Sequence, residues 1–95
     1  MKKNEENKGL VGTTWNAIVD DDDWIGTINF ATETSFSFIE SEGGHQRTHS
    51  GIYSYVAPRI VLQMPDWSLT GTITGNMMVL VEEYCNECVY NFIKK

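Results

Sequence analysis

Residues 67–81 read Trp67-Ser68-Leu69-Thr70-Gly71-Thr72-Ile73-Thr74-Gly75-Asn76-Met77-Met78-Val79-Leu80-Val81. Trp67, Leu69, Gly71 and Ile73 alternate with Ser68, Thr70, Thr72 and Thr74, a period of two that gives an extended strand one apolar and one polar face. Gly75-Asn76 interrupts the pattern. A two-residue loop with glycine first suits a type II′ hairpin, because glycine reaches positive φ without a Cβ clash. With that turn, Ile73 lies opposite Met78 and Gly71 opposite Leu80. Met78 and Leu80 then share the inner face, and Met77, Val79 and Val81 point out.

The same alternation extends through the rest of the body. Thr13 to Val19 forms a first strand with Trp15, Ala17 and Val19 on one side. Asp20-Asp21-Asp22-Asp23 breaks it, since four adjacent carboxylates repel one another and belong in a solvated loop. Trp24 to Phe30 and Phe36 to Glu40 form a hairpin in which Phe30 opposite Phe36 places Ile28 opposite Phe38. Ser41 to Gly44 turns the chain into a long polar strand, His45 to Val56, whose two faces are not distinguished by pattern. Arg59 to Leu62 follows a Pro58 corner. The last strand, Val89 to Ile93, is reached through Cys85-Asn86-Glu87-Cys88, read as a hairpin turn at Asn86-Glu87. Eight short strands joined by tight turns predict an all-β antiparallel meander with no substantial helix. Such a sheet loses its exposed edges by closing into an up-and-down barrel.

Composition narrows the function classes. The 95 residues bound the chain to one body, residues 9–95, preceded by a flexible tail, Met1 to Lys8. A hydrophobic fraction of 41%, with three Trp, four Tyr and four Phe, is that of a folded protein. The net charge is −6, and from Gly9 onward four Lys/Arg stand against eleven Asp/Glu. Nucleic acid and anionic membrane surfaces, which need clustered basic residues, are therefore not expected partners. No apolar run approaches the roughly 20 residues of a helical membrane span. An exported domain produced without its leader would read the same way, so the compartment stays open.

Gly12-Thr13-Thr14-Trp15 opening the first strand, Gly51-Ile52-Tyr53-Ser54-Tyr55 in the middle and Gly71-Thr72-Ile73-Thr74-Gly75-Asn76 near the end resemble the small bacterial lipocalin-like (calycin-like) barrel domains. The likeness runs through nearly the whole body from Gly9. It implies a non-catalytic binding module for a small apolar or amphipathic ligand or a protein partner. The other reading is a structural, interaction or inhibitor domain whose filled barrel only presents its loops.

The chemistry-bearing residues are few. Alternate loops of a meander lie at one end, so Asp20 to Asp23, Ser41 to Gly44, Met64 to Asp66 and Cys85 to Cys88 share a rim. Cys85 and Cys88 have the spacing of half a zinc site, with His45 nearby. His49, four residues along a strand from His45, lies roughly 13 Å away and cannot join it. The plainer expectation is that the cysteines flank a turn and bind no metal; a disulfide between them is left open. The aspartate run lacks the ligand spacing of a calcium loop. No nucleophilic elbow or triad order is present, so no enzyme activity and no cofactor are expected. Trp15, Trp24, Phe30, Phe36, Phe38 and Trp67 fall on inward faces, with Gly26 and Gly71 leaving room for them, which predicts a filled barrel. Binding is then expected at the barrel mouth, where Glu82 and Tyr84 project inward beside Trp24. Carrying the hairpin pattern through Asn86-Glu87 pairs Val81 with Phe92 and Glu83 with Tyr90. Met77, Val79, Val81, Tyr90 and Phe92 then form an outer apolar patch that is expected to make a homodimer or dock a partner. A bulge after Val81, turning Tyr90 and Phe92 inward, is the competing arrangement.

Overall fold

The computed structural model describes residues 9–18 and 24–95, with residues 86 and 87 described in their backbone only. Eight antiparallel strands follow one another around a closed barrel: β1 (Thr14–Ile18), β2 (Trp24–Phe30), β3 (Ser35–Glu42), β4 (His45–Val56), β5 (Arg59–Gln63), β6 (Ser68–Thr74), β7 (Met77–Glu82) and β8 (Cys85–Lys94). Each strand pairs with the next, and β8 closes onto β1 with Ala17 opposite Phe92. Closure pairs the backbone groups that an open sheet would expose along two edges. Among the described residues there is no helix, and so none long and apolar enough to cross a membrane. The expected tail, Met1 to Lys8, and the Asp20 to Asp23 run lie outside the described residues.

Alternation decides what fills the barrel. On β2, Ile28 and Phe30 are buried; on β3, Phe36 and Phe38; on β5, Ile60 and Leu62; on β6, Leu69 and Ile73; on β7, Met78 and Leu80. The predicted pairings Phe30↔Phe36, Ile28↔Phe38, Ile73↔Met78 and Gly71↔Leu80 are all present. Gly75 has φ of 60°, the left-handed value that its hairpin turn needs. Gly26 leaves room for the Trp24 ring, as expected. Gly71 serves a different purpose: a Cβ there would overlap the Val79 carbonyl and crowd the Leu80 backbone, so its absence lets β6 and β7 approach closely rather than admitting an aromatic ring.

The end of the barrel away from the β7–β8 connection is stoppered. Leu10, ahead of β1, is buried in the core; the Gly12 amide donates to the Phe30 carbonyl at 2.8 Å. The Tyr53 hydroxyl donates to the Thr32 carbonyl at 2.6 Å, while its ring packs edge-on against Phe30 at 4.7 Å. Burial, with a further contribution from Glu33, holds the Tyr53 phenol pKa above its usual value. The interior is thus packed from this floor up to the layer of Phe38, Leu69, Leu80 and Phe92, all within 1% of full burial.

The β7–β8 hairpin departs from expectation. Its turn is Glu83-Tyr84, with Glu82 opposite Cys85, and a register shift follows at Val81/Glu82, after which Val81 pairs with Val89, Leu80 with Tyr90 and Met78 with Phe92. Relative to a regular ladder, β8 carries three extra residues, Asn86, Glu87 and Cys88. An odd insertion turns every later side chain to the opposite face. Phe92 is accordingly fully buried and Tyr90 packs against the core, which corrects the expectation that both face outward. Cys85 and Cys88 do not face each other across the turn either; Cys85 directly follows it, Cys88 is the last residue of the insertion, and the two are joined by a disulfide, with Cα atoms 5.3 Å apart.

Candidate functional site

The connections β3–β4, β5–β6 and β7–β8 lie at one end of the barrel by topology, with the last residue of β1 and the first of β2, opposite the stoppered floor. Above the Phe38 layer the inward positions change character. On β3, the alternation Phe36, Phe38 continues to Glu40; on β4, the residue paired with Phe38 is His49; on β2 the first inward residue is Trp24; on β8 it is Tyr90. Trp67, immediately before β6, completes the set, held by a loop in which the Met64 amide donates to the Trp67 carbonyl at 2.9 Å.

These side chains form a connected network. The Trp24 indole N–H donates to Glu40 Oε1 at 3.1 Å, and Glu40 Oε2 meets His49 Nε2 at 2.6 Å. Glu40 and His49 side chains keep 16% and 27% of their surface exposed, so the pair sits at the boundary between core and solvent. The His49 ring stands edge-on to Trp67 at 5.5 Å, and both rings touch Phe38. Across the mouth, Tyr90 lies 5.9 Å from Trp24 and its hydroxyl donates to Glu82 Oε1 at 3.2 Å. Burial first, then the charge of Glu82, the hydrogen bond to Glu82 and the charge of Glu40, hold the Tyr90 phenol pKa above its usual value. Tyr90 therefore stays a neutral hydrogen-bond donor through the physiological range.

Beside the mouth, the β5–β6 loop and the β7–β8 turn enclose a recess of about 240 Å³, lined by Gln63, Asp66, Trp67, Ser68, Glu83 and Tyr84 among others. The two loops are tied together. The Glu83 amide donates to the Ser68 carbonyl at 3.0 Å, and the Ser68 hydroxyl donates to the Glu83 carboxylate. The lining is mostly polar, and Trp67 belongs to both the recess and the mouth.

Of the residues expected to line the mouth, Trp24 and Glu82 are there. Tyr84 is not: it occupies the turn itself and is 81% exposed, so it borders the recess rather than projecting into the barrel. The turn falls three residues earlier than the sequence pattern placed it, which takes Tyr84 off the strand. Of the expected outer patch, Met77, Val79 and Val81 alternate with buried Met78 and Leu80 and so lie outside. Exposed Val89 and Ile93 occupy the outer face of β8 in place of Tyr90 and Phe92. Sequence reasoning missed Glu40 and His49 and set Tyr90 on the outer patch, the inward-turning bulge after Val81 being the competing arrangement, which is the one observed. The first two were recoverable: a two-residue turn at Gly43-Gly44 sets Glu42 against His45 and, by counting back, Phe38 against His49, which fixes the inner face of β4. Tyr90 was not, because its orientation depends on the insertion.

No three His, Cys, Asp or Glu side chains among the described residues converge as a metal site, and both sulfurs of the half-site spacing are bonded to each other. Comparison with protein-family models, with curated proteins and with solved structures finds no match.

Proposed function

We propose that the chain is a non-catalytic binding domain that takes a small amphipathic ligand at the barrel mouth, over a packed floor, rather than inside the barrel. The observation behind this reading is the change of inward chemistry above Phe38, from aliphatic and phenyl groups to Trp24, Trp67, His49 and Tyr90 interleaved with Glu40 and Glu82. Indole and phenol rings offer flat apolar contact, and carboxylates among them favour a ligand whose polar end is cationic. The recess between the β5–β6 and β7–β8 loops, with Asp66 and Glu83 on its wall, extends the same acidic character outward. The arrangement supplies orientation and charge to a bound ligand, which is what the binding reading requires.

The packed interior favours a second reading, in which the barrel only presents its loops to a protein partner. Tryptophan fluorescence separates the two. Decyltrimethylammonium, titrated below its micelle concentration, is expected to perturb emission, with affinity about tenfold weaker in Glu40→Gln, a loss of about 1.4 kcal/mol. Equal binding of decanoate would remove the preference for a cationic end. Binding of neither amphiphile would overturn the ligand reading and leave the loop-presenting one.

A further inference from the structure

We infer that the Cys85–Cys88 disulfide is a redox latch on the barrel mouth: oxidised, it holds the three-residue insertion that turns Tyr90 toward Trp24 and Glu82; reduced, it releases that segment. The inference stands on the strand register and is independent of whether the mouth binds a ligand.

The insertion is the one place where the β7–β8 ladder loses step. Asn86, Glu87 and Cys88 have no counterparts on β7, between the pairs Glu82↔Cys85 and Val81↔Val89. Strand residues without ladder partners forfeit cross-strand hydrogen bonds, so such an excursion needs something to hold it. The cross-link ties the last inserted residue, Cys88, back to Cys85 just ahead of the insertion, drawing their Cα atoms to 5.3 Å. Without the bond, the same residues can form an ordinary hairpin with Asn86-Glu87 as its turn, in which Val81 would oppose Phe92 and Glu83 would oppose Tyr90. That arrangement differs by three residues, an odd number, and would face Tyr90 and Phe92 outward.

The far half of β8 resists such a slip. Phe92 is fully buried, pairs with Ala17 on β1 and with Met78 on β7, and stacks edge-on against Phe38 at 6.1 Å. Exposing it would cost more than a local gain in hairpin regularity returns, since a fully buried phenylalanine loses both its apolar burial and its packing contacts. The consequence of reduction is therefore confined to the segment between the Glu83-Tyr84 turn and Phe92. Within that segment lies Tyr90, whose hydroxyl reaches Glu82 and whose ring meets Trp24. Opening the latch loosens one wall of the mouth while the barrel stays closed.

The chemistry is thiol–disulfide exchange. An external dithiol supplies two electrons and two protons, its two sulfurs join as a new disulfide, and Cys85 and Cys88 become thiols.

Amide hydrogen exchange of the full chain, oxidised and in dithiothreitol, tests the inference. Amides from Cys85 to Tyr90 are expected to exchange at least about tenfold faster on reduction, while those of Met78, Phe92 and Ile93 change less than about twofold. Reoxidation should restore the first pattern. Cys85→Ser with Cys88→Ser should show the reduced pattern with or without dithiothreitol, which places the effect at this bond. Unchanged exchange from Cys85 to Tyr90 would overturn the latch. So would acceleration of every strand together, because the disulfide would then be a global staple rather than a local switch.

Discussion

Two hairpins share strand β7 and teach different lessons. The β6–β7 hairpin turns on Gly75-Asn76, takes its register from that turn and places each side chain where simple alternation puts it. The β7–β8 hairpin turns on Glu83-Tyr84, where no residue has positive φ, and then loses three residues of register within a single step. In the first, local chemistry and core packing agree. In the second, the local pattern favours a turn at Asn86-Glu87, and the outcome is decided by what Phe92 gains inside the barrel together with the bond between Cys85 and Cys88. Local preference is worth about 1 kcal/mol at a turn, whereas a buried aromatic side chain is worth several, so the core prevails.

The largest expected effect tests the second hairpin directly. Phe92→Ala should destabilise by about 3–5 kcal/mol, comparable to or larger than Met78→Ala opposite it, for which about 2–5 kcal/mol is expected. Denaturant midpoints at constant slope would measure both. A Phe92→Ala cost below about 0.5 kcal/mol, the range of ordinary surface substitutions, would mean that the side chain faces out and that β8 follows the unbulged register after all.

A smaller contrast separates the two turns. Gly75→Ala forces a side chain onto a φ of 60° and should cost about 1 kcal/mol, lowering the melting temperature by about 4–8 °C in a domain of this size. Tyr84→Ala, at a turn position that is 81% exposed, should stay within about 0.5 kcal/mol. Thermal melts showing the reverse order would indicate that the β7–β8 turn, rather than the Gly75 turn, carries the local constraint.

The smallest effect concerns the pH dependence that the insertion brings with it. Because Tyr90 faces inward, burial and the neighbouring Glu82 and Glu40 raise its folded-state pKa above the unfolded value. The folded chain then holds this proton more tightly than the unfolded chain does. The resulting stability is fully present below about pH 10, where the phenol is protonated in both states, and is lost as pH rises through the folded-state value. Tyr53, raised for the same first reason at the opposite end, contributes with the same sign. Tyr90→Phe should therefore flatten the alkaline decline without abolishing it. Urea denaturation at pH 8 and at pH 11 checks this; identical declines in parent and variant would place Tyr90 outside the barrel wall.

The sequence by itself determined the barrel. A period of two recurring through eight segments, broken by Gly43-Gly44, Gly75-Asn76 and the Pro58 corner, admits few topologies, and inward faces carrying Phe30, Phe36, Phe38, Met78 and Leu80 fix the pairing of neighbours. It also held Trp24 and Glu82 at the mouth, and it contained the means to place Glu40 and His49, since register propagates from a two-residue turn by counting. Only the tertiary structure decided the face of β8. Pattern within a strand reports the two faces but not which is inner when an odd insertion intervenes, and the choice between them is made by non-local contacts: Phe92 against Ala17, Met78 and Phe38, and Tyr90 against Trp24. Those contacts bring together residues far apart in the chain, so no local window of sequence contains the energy that selects them.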